Sequence, residues 1–276
     1  MSTTAARPGQ RSTHDPAPAA RLPRARVVGP VTATRSLTPT AHDLLLLHHL
    51  SALRHTPGHH GQQPSLPAWA HDHLRARPWV AVSRSPILVG RSTTPTQPGR
   101  RTPNTVPASE QWIPVTIHGP QRHQELSAFA PRSTIARVMR PEDLLHRLGL
   151  LPATRTTRIP ALHVLPSVDE IMTRQGLSWG PTGEVAYELA SGAPVTRPTS
   201  HLQVLLRAPQ PLGRNETAQL RQCLRQLPAQ IDAEFETRHG AASLTEYAAS
   251  TRILTLHTEN GPRTVTDPWH PDIRAQ

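Results

Sequence analysis

Trp179-Gly180-Pro181-Thr182-Gly183-Glu184-Val185-Ala186-Tyr187-Glu188-Leu189-Ala190-Ser191-Gly192 leads, across Pro194-Val195 and Arg197, into Ser200-His201-Leu202-Gln203-Val204-Leu205-Leu206-Arg207. The segment from His201 to Leu206 reads as a strand. Successive side chains on a strand point to opposite faces, so His201 and Gln203 share one face and Leu202 and Val204 the other. Gly183 and Gly192 read as turn residues, and Trp179 as a core or edge anchor. Further on, Ile231-Asp232-Ala233-Glu234-Phe235-Glu236 alternates cleanly. Ile231, Ala233 and Phe235 take one face, and Asp232, Glu234 and Glu236 the other. Between these two strands, residues 215–227 have the apolar period of an amphipathic helix, with Asn215 as cap and Pro228 as stop. Cys223 within it reads as a packed thiol.

The flanks are punctuated in the same way. Ser243 with Glu246 is a capping box for a helix to about 250. Arg252 to His257 reads as a strand, and Glu259-Asn260-Gly261-Pro262 as a turn. Upstream, Pro141 to Gly149 is a short helix with Pro at its front and Gly at its end. Residues 161–175 are expected to be helical. Trp79 to Ser83, Pro86 to Val89 and Trp112 to His118 read as strands. Thr40 followed three residues later by Asp43 resembles a capping box and predicts a helix over 41–53. Residues 55–67 are a His/Gly/Pro loop, and 90–110 a long insertion without periodicity. Residues 1–37 hold six Arg, one acid (Asp15) and five Pro with no periodicity, which predicts a disordered tail. Its prolines interrupt the amphipathic helix that a transit peptide would need.

Helices and strands are mixed without strict βαβ repetition or internal repeats, so the expected class is α+β. The expected organisation is the tail 1–37, a small N-terminal α/β unit over 38–122, a mixed-sheet domain over 123–270, and a short tail 271–276. Composition narrows the function. The 276 residues carry 30 Lys+Arg, every one of them Arg, against 19 Asp+Glu, for a net charge of +11. The single Cys excludes an internal disulfide or a cysteine-built zinc site, which makes a cytoplasmic protein the expectation. No run of 18 apolar residues is present, so no membrane span is expected. Five Trp, two Tyr and two Phe are too few for a base-stacking platform. Nucleic-acid binding through the Arg-rich tail and the 90–110 loop is therefore the weakest function class. His42, His48, His49, His59, His60, His71 and His73 show no repeated spacing that would build a metal site.

The Trp179–Arg207 block resembles the malonate decarboxylase holo-[acyl-carrier-protein] synthase family, also called phosphoribosyl-dephospho-CoA transferase. Its members show a pattern close to W-G-V-T-G-S-T-G-Y-E-L-A-T and then S-D-L-D-L-L. Other pieces match in order: Ala41-His42-Asp43-Leu44-Leu45; Pro114-Val115 with Arg122 and Gln124; Ile231-Asp232 with Glu236-Thr237; Ser243-Leu244 with Glu246; Arg252-Ile253-Leu254; Gly261-Pro262-Arg263; and Asp267-Pro268-Trp269. The resemblance spans about residues 38–270.

The resemblance implies a nucleotidyltransferase-like mixed-sheet domain. It implies transfer of a triphosphoribosyl-dephospho-CoA prosthetic group to a serine of the acyl carrier subunit of malonate decarboxylase, with release of pyrophosphate. It further implies Mg²⁺ held by strand carboxylates against the phosphates. The family's Ser in the Gly-Ser turn is Glu184 here, and its two strand aspartates are His201 and Gln203. The catalytic candidates are accordingly Asp232, His201 and Gln203. Gly183, Glu184, Arg197 and Arg207 are the substrate-binding candidates, and Asp232, Glu234 and Glu236 the metal-binding ones. Two plainer readings stand beside these, the three acids as a solvated strand face and His201 as an ordinary polar residue; a further one makes His201 the ligand of a softer metal such as zinc or manganese. The alternative function is a family member that binds the carrier protein or a CoA-like ligand without transferring the group.

Overall fold

The computed structural model describes residues 38–55, 66–85, 88–89, 110–121, 123–249 and 252–271. The expected tail 1–37, the insertion 90–109, most of the 55–67 loop with His59 and His60, Arg122, and residues 272–276 lie outside the described residues.

Two sheets carry the chain. The first holds β1 (Leu44–Leu47), β2 (Arg54–His55), β3 (Trp79–Val82), β4 (Leu88–Val89), β5 (Gln111–His118), β6 (Glu125–Pro131) and β7 (Ile135–Met139). Its order is β2-β6-β5-β3-β1-β7, with β4 added on β5. Helix α1 (Ala68–Ala76) lies between β2 and β3 in sequence and buries Ala70 and Leu74 in the core of this sheet. Helices α2 (Ala153–Arg158), α3 (Pro160–His163) and α4 (Leu165–Arg174) lead into the second part of the chain. There, β8 (Ser178–Thr182), helix α5 (Gly183–Ser191), β9 (Leu202–Arg207), helix α6 (Arg214–Arg225), β10 (Ile231–Thr237), β11 (Gly240–Ser243), helix α7 (Leu244–Ala248), β12 (Leu254–Thr258) and β13 (Gly261–Val265) follow in order. The second sheet runs β13-β12-β11-β10-β9-β8. Strands β9 and β10 are parallel, and α6 supplies the crossover that parallel neighbours require. The other pairs in this sheet are antiparallel. The α+β class read from the sequence holds.

The segment after Thr40 is a strand, not the helix expected over 41–53. The signal was a real local interaction with a different outcome. The Thr40 N–H donates to Asp43 Oδ2 at 2.9 Å, and the Asp43 N–H returns to the Thr40 carbonyl at 3.1 Å. His42 takes a left-handed φ of 71°, which turns the chain into β1 instead of a helix. The leucine run lacks alternation because both faces are covered. Leu45 and Leu47 enter the core shared with α1, and Leu44 enters the larger core shared with the second sheet.

The first sheet also reaches further than expected. Strands β6 and β7 pair with β5 and β1, so this sheet closes at Met139 and not near residue 122. The described residues from Thr38 to Pro271 belong to one compact unit. The predicted short helix after it is a pair of 3₁₀ turns, Pro141–Asp143 and Leu145–Leu150. The first turn presses on β8 so closely that a Cβ on Gly180 would lie 2.0 Å from the Pro141 carbonyl carbon. Only a glycine admits that approach.

The expected strand 231–236 and the helix 215–227 are found as β10 and α6, although Gly213 and not Asn215 occupies the cap position. Ser243 does cap α7, accepting from the Glu246 N–H. Trp179 is a core residue whose indole donates to Asp169 at 3.1 Å. Cys223 is exposed. The buried stripe of α6 is Thr217, Leu220 and Leu224, and position 223 falls outside it.

Candidate active site

Three strands of the second sheet bring the site together by register. Thr182 on β8 lies opposite Gln203 on β9, and Gln203 lies beside Asp232 on β10. One residue beyond Thr182 the chain turns at Gly183, with φ 62°, and enters α5. The Gln203 amide lies across this turn, its Oε1 only 2.1 Å from where a Gly183 Cβ would stand. His201, just before β9, meets Asp232 on the other side: Nδ1 and Oδ2 are 2.8 Å apart. Residues 183, 201, 203 and 232 therefore share one end of one sheet face. The dyad is open, with His201 45% and Asp232 53% exposed.

Glu184 is half-buried in the first turn of α5 and accepts a hydrogen bond from the Ser200 hydroxyl. The Arg197 N–H donates to the same hydroxyl at 2.9 Å, so residues 197–200 form a turn anchored on the helix. The exposed Arg197 guanidinium donates to the Pro120 carbonyl at 3.3 Å, which brings the β5–β6 hairpin to the rim of the site. His118 on that hairpin has its pKa lowered by burial, against the opposing influence of Glu125 and Glu184.

Sequence reasoning missed the support behind this loop. Glu188, 1% exposed on α5, takes a two-pronged salt bridge from Arg155, with Nε–Oε1 2.9 Å and Nη2–Oε2 2.8 Å. It also accepts from the Thr196 N–H at 2.8 Å, while Arg155 donates to the Thr196 carbonyl at 2.6 Å. This bracket fixes the residue next to Arg197. The available signal was Glu188 itself, four residues after Glu184 on an otherwise apolar helix.

The remaining candidates lie elsewhere. The Arg207 guanidinium is held by Glu142 and Glu236. Glu236 also pairs with Arg84 at 2.8 Å. These groups form an ion layer between the sheets and leave Arg207 and Glu236 committed to one another. Glu234 acts on Arg84 electrostatically. Of the three acids on this face, Asp232 is exposed, while Glu234 and Glu236 are part-buried. Asp232 and Glu236 lie about 13 Å apart along the strand and cannot share a small ion. A cavity of about 480 Å³ opens at the Glu236 end, lined among others by Thr40, Ser83, Arg84, Glu236, Thr237 and His239.

Mg²⁺ seeks oxygen ligands, above all carboxylates, in octahedral array. The site offers one carboxylate already engaged by an imidazole, one amide packed on Gly183, and the imidazole itself. Among the described residues no three His, Cys, Asp or Glu side chains converge to hold a metal ion. This donor set does not fit the cation. Among the described residues, too, no helix is long and apolar enough to cross a membrane.

Residues 149–268 match the family model described as the phosphoribosyl-dephospho-CoA transferase MdcG C-terminal domain. A phosphoribosyl-dephospho-CoA transferase of Pseudomonas putida is 35% identical over 216 residues, 78% of this chain and 92% of its own length. One from Azotobacter vinelandii is 36% identical over 166 residues, 59% of this chain and 76% of its own. One from Klebsiella pneumoniae is 31% identical over 238 residues, 85% of this chain and 98% of its own. No solved structure matches significantly. Similarity of this extent, carried by the same stretch that builds the clustered site, means that the chain belongs to the phosphoribosyl-dephospho-CoA transferase family.

Proposed function

We propose that this protein is a transferase that attaches the triphosphoribosyl-dephospho-CoA prosthetic group to a serine of the malonate decarboxylase acyl carrier protein, releasing pyrophosphate. The observation that carries this reading is the convergence of Gly183, Gln203, His201 and Asp232 at one open end of the second sheet. The N-terminus of α5 suits the phosphates through the dipole of the helix. Arg197, exposed beside that helix, supplies positive charge. Glu184 is drawn aside by Ser200, which turns its carboxylate from a repulsive neighbour of phosphate into a loop anchor. A soluble acyl carrier as partner agrees with a cytoplasmic location.

The test is to incubate the protein with apo carrier subunit and the triphosphoribosyl precursor, then follow pyrophosphate release. Release that depends on all three components supports the reading, and no release contradicts it. His201 and Gln203 at the family's aspartate positions favour a second reading, in which the carrier or the CoA-like ligand is bound but not modified. That reading predicts saturable binding without release, and release regained on changing Glu184→Ser, His201→Asp and Gln203→Asp together.

A further inference from the structure

We propose that His201, oriented by Asp232, is the general base that accepts the proton of the attacking carrier serine. This assignment rests on the transferase reading above and deepens it. Its basis is geometric. A neutral imidazole whose Nδ1 faces a carboxylate oxygen at 2.8 Å donates its one proton there. Nε2 is left as a lone-pair acceptor, and Asp232 fixes both ring and tautomer, as the third member of a nucleophile–base–orienter set does. The dyad is half-open to solvent, as a base that must meet a serine on another protein needs to be. It stands beside the Gly183 turn and the α5 N-terminus, where the phosphates are proposed to lie.

Two other imidazoles, His73 and His118, are occupied or covered. His73 is hydrogen-bonded to the Tyr187 hydroxyl at 2.9 Å, and burial lowers its pKa and that of His118. The poor fit of these residues to Mg²⁺ points the same way. A carboxylate that binds an imidazole proton is arranged for proton transfer, and the chain keeps the face and the i, i+2 spacing with side chains suited to that task.

In the step, the serine Oγ forms a bond to the α-phosphorus while the bond from that phosphorus to the bridging oxygen of the pyrophosphate breaks. The electron pair leaves with pyrophosphate. The serine proton passes to His201 Nε2, and the resulting imidazolium is paired with Asp232 before it loses the proton to solvent.

The experiment measures kcat and carrier KM for the full-length wild type and for His201→Gln, Asp232→Asn and His201→Gly, with folding checked by thermal melts. General-base loss lowers kcat by about 10²–10⁴-fold in His201→Gln, leaving the carrier KM unchanged. Asp232→Asn lowers kcat as well, and added imidazole restores at least part of the activity of His201→Gly. A His201→Gln variant with wild-type kcat overturns the assignment while the transferase reading stands. Loss of kcat that imidazole fails to restore also overturns it, by making His201 a positioning residue. A wild type that transfers nothing overturns both.

Discussion

Asp232 and Glu236 occupy the same face of β10, four residues apart, yet the two ends of that strand serve different purposes. At the Glu236 end the first sheet closes over the second. Arg84 from the bend after β3 and Arg207 from β9 meet the carboxylate, with Glu142 completing the set. Arg84 and Glu236 are only 15% and 14% exposed. At the Asp232 end the face is open among the described residues, and the carboxylate holds a half-exposed imidazole. One alternating strand thus supplies a structural ion and, in the proposed mechanism, a functional one. The face follows from the sequence, but the role depends on what the rest of the chain lays against it.

The comparison breaks first on stability. Glu236→Ala takes the bonded carboxylate from the part-buried Arg84 guanidinium and leaves Arg207 with Glu142 alone, and should cost about 3–5 kcal/mol in chemical unfolding, as loss of one partner of a buried pair does. Equal stability in this variant would mean the ion layer is ornamental.

A second contrast lies in the covered region itself, at His42 and Asp43. Burial pushes Asp43 above its ordinary 3.8 to about 6, and burial aided by Arg84 and Arg207 holds His42 below its ordinary 6.5 at about 4. The signs oppose. The contribution of Asp43 is fully present below 3.8 and is lost as pH rises through about 6. That of His42 is fully present above 6.5 and is lost as pH falls through about 4. Between pH 4 and 6 the two slopes offset each other. Asp43→Asn should remove one of them, so that acidification from pH 7 to 4 costs on the order of 3 kcal/mol more than in wild type. Parallel stability–pH curves for the two proteins would contradict the shifts.

At the open end the effects on stability are smaller. Gly183→Ala forces a Cβ into left-handed backbone and into Gln203 Oε1, and should cost about 1–3 kcal/mol. Gln203→Ala in the same chain should recover the steric part, leaving the cost of the positive φ. Asp232→Ala breaks only an exposed pair and should cost below about 1 kcal/mol while suppressing transfer. An unfolding loss as large as that of Glu236→Ala would erase the distinction between the two ends.

The legible parts of the molecule were those whose environment is periodic. Strand β10, strand β9, helix α6 and the Ser243 cap announce themselves because one face is wet and the other dry, or because a cap sits three residues from its partner. Strand β1 did not, since four leucines covered wholly or in part on both faces carry no period to separate strand from helix. The first sheet's extension to Met139 depends on pairings between β1 and β7 that lie far apart in sequence. The clustering of Gly183, His201, Gln203 and Asp232 was within reach because strand register alone generates it. The capture of Arg207 by Glu142 and the bracket of Arg155 on Glu188 were not, because each joins segments whose encounter only the folded chain decides.

The most direct measurement is the intact mass of the apo carrier after a single-turnover incubation with this protein and triphosphoribosyl-dephospho-CoA. The carrier should gain one phosphoribosyl-dephospho-CoA group on its serine, with no gain when that serine is replaced by alanine. A carrier of unchanged mass, under conditions where the protein binds it, would contradict the account.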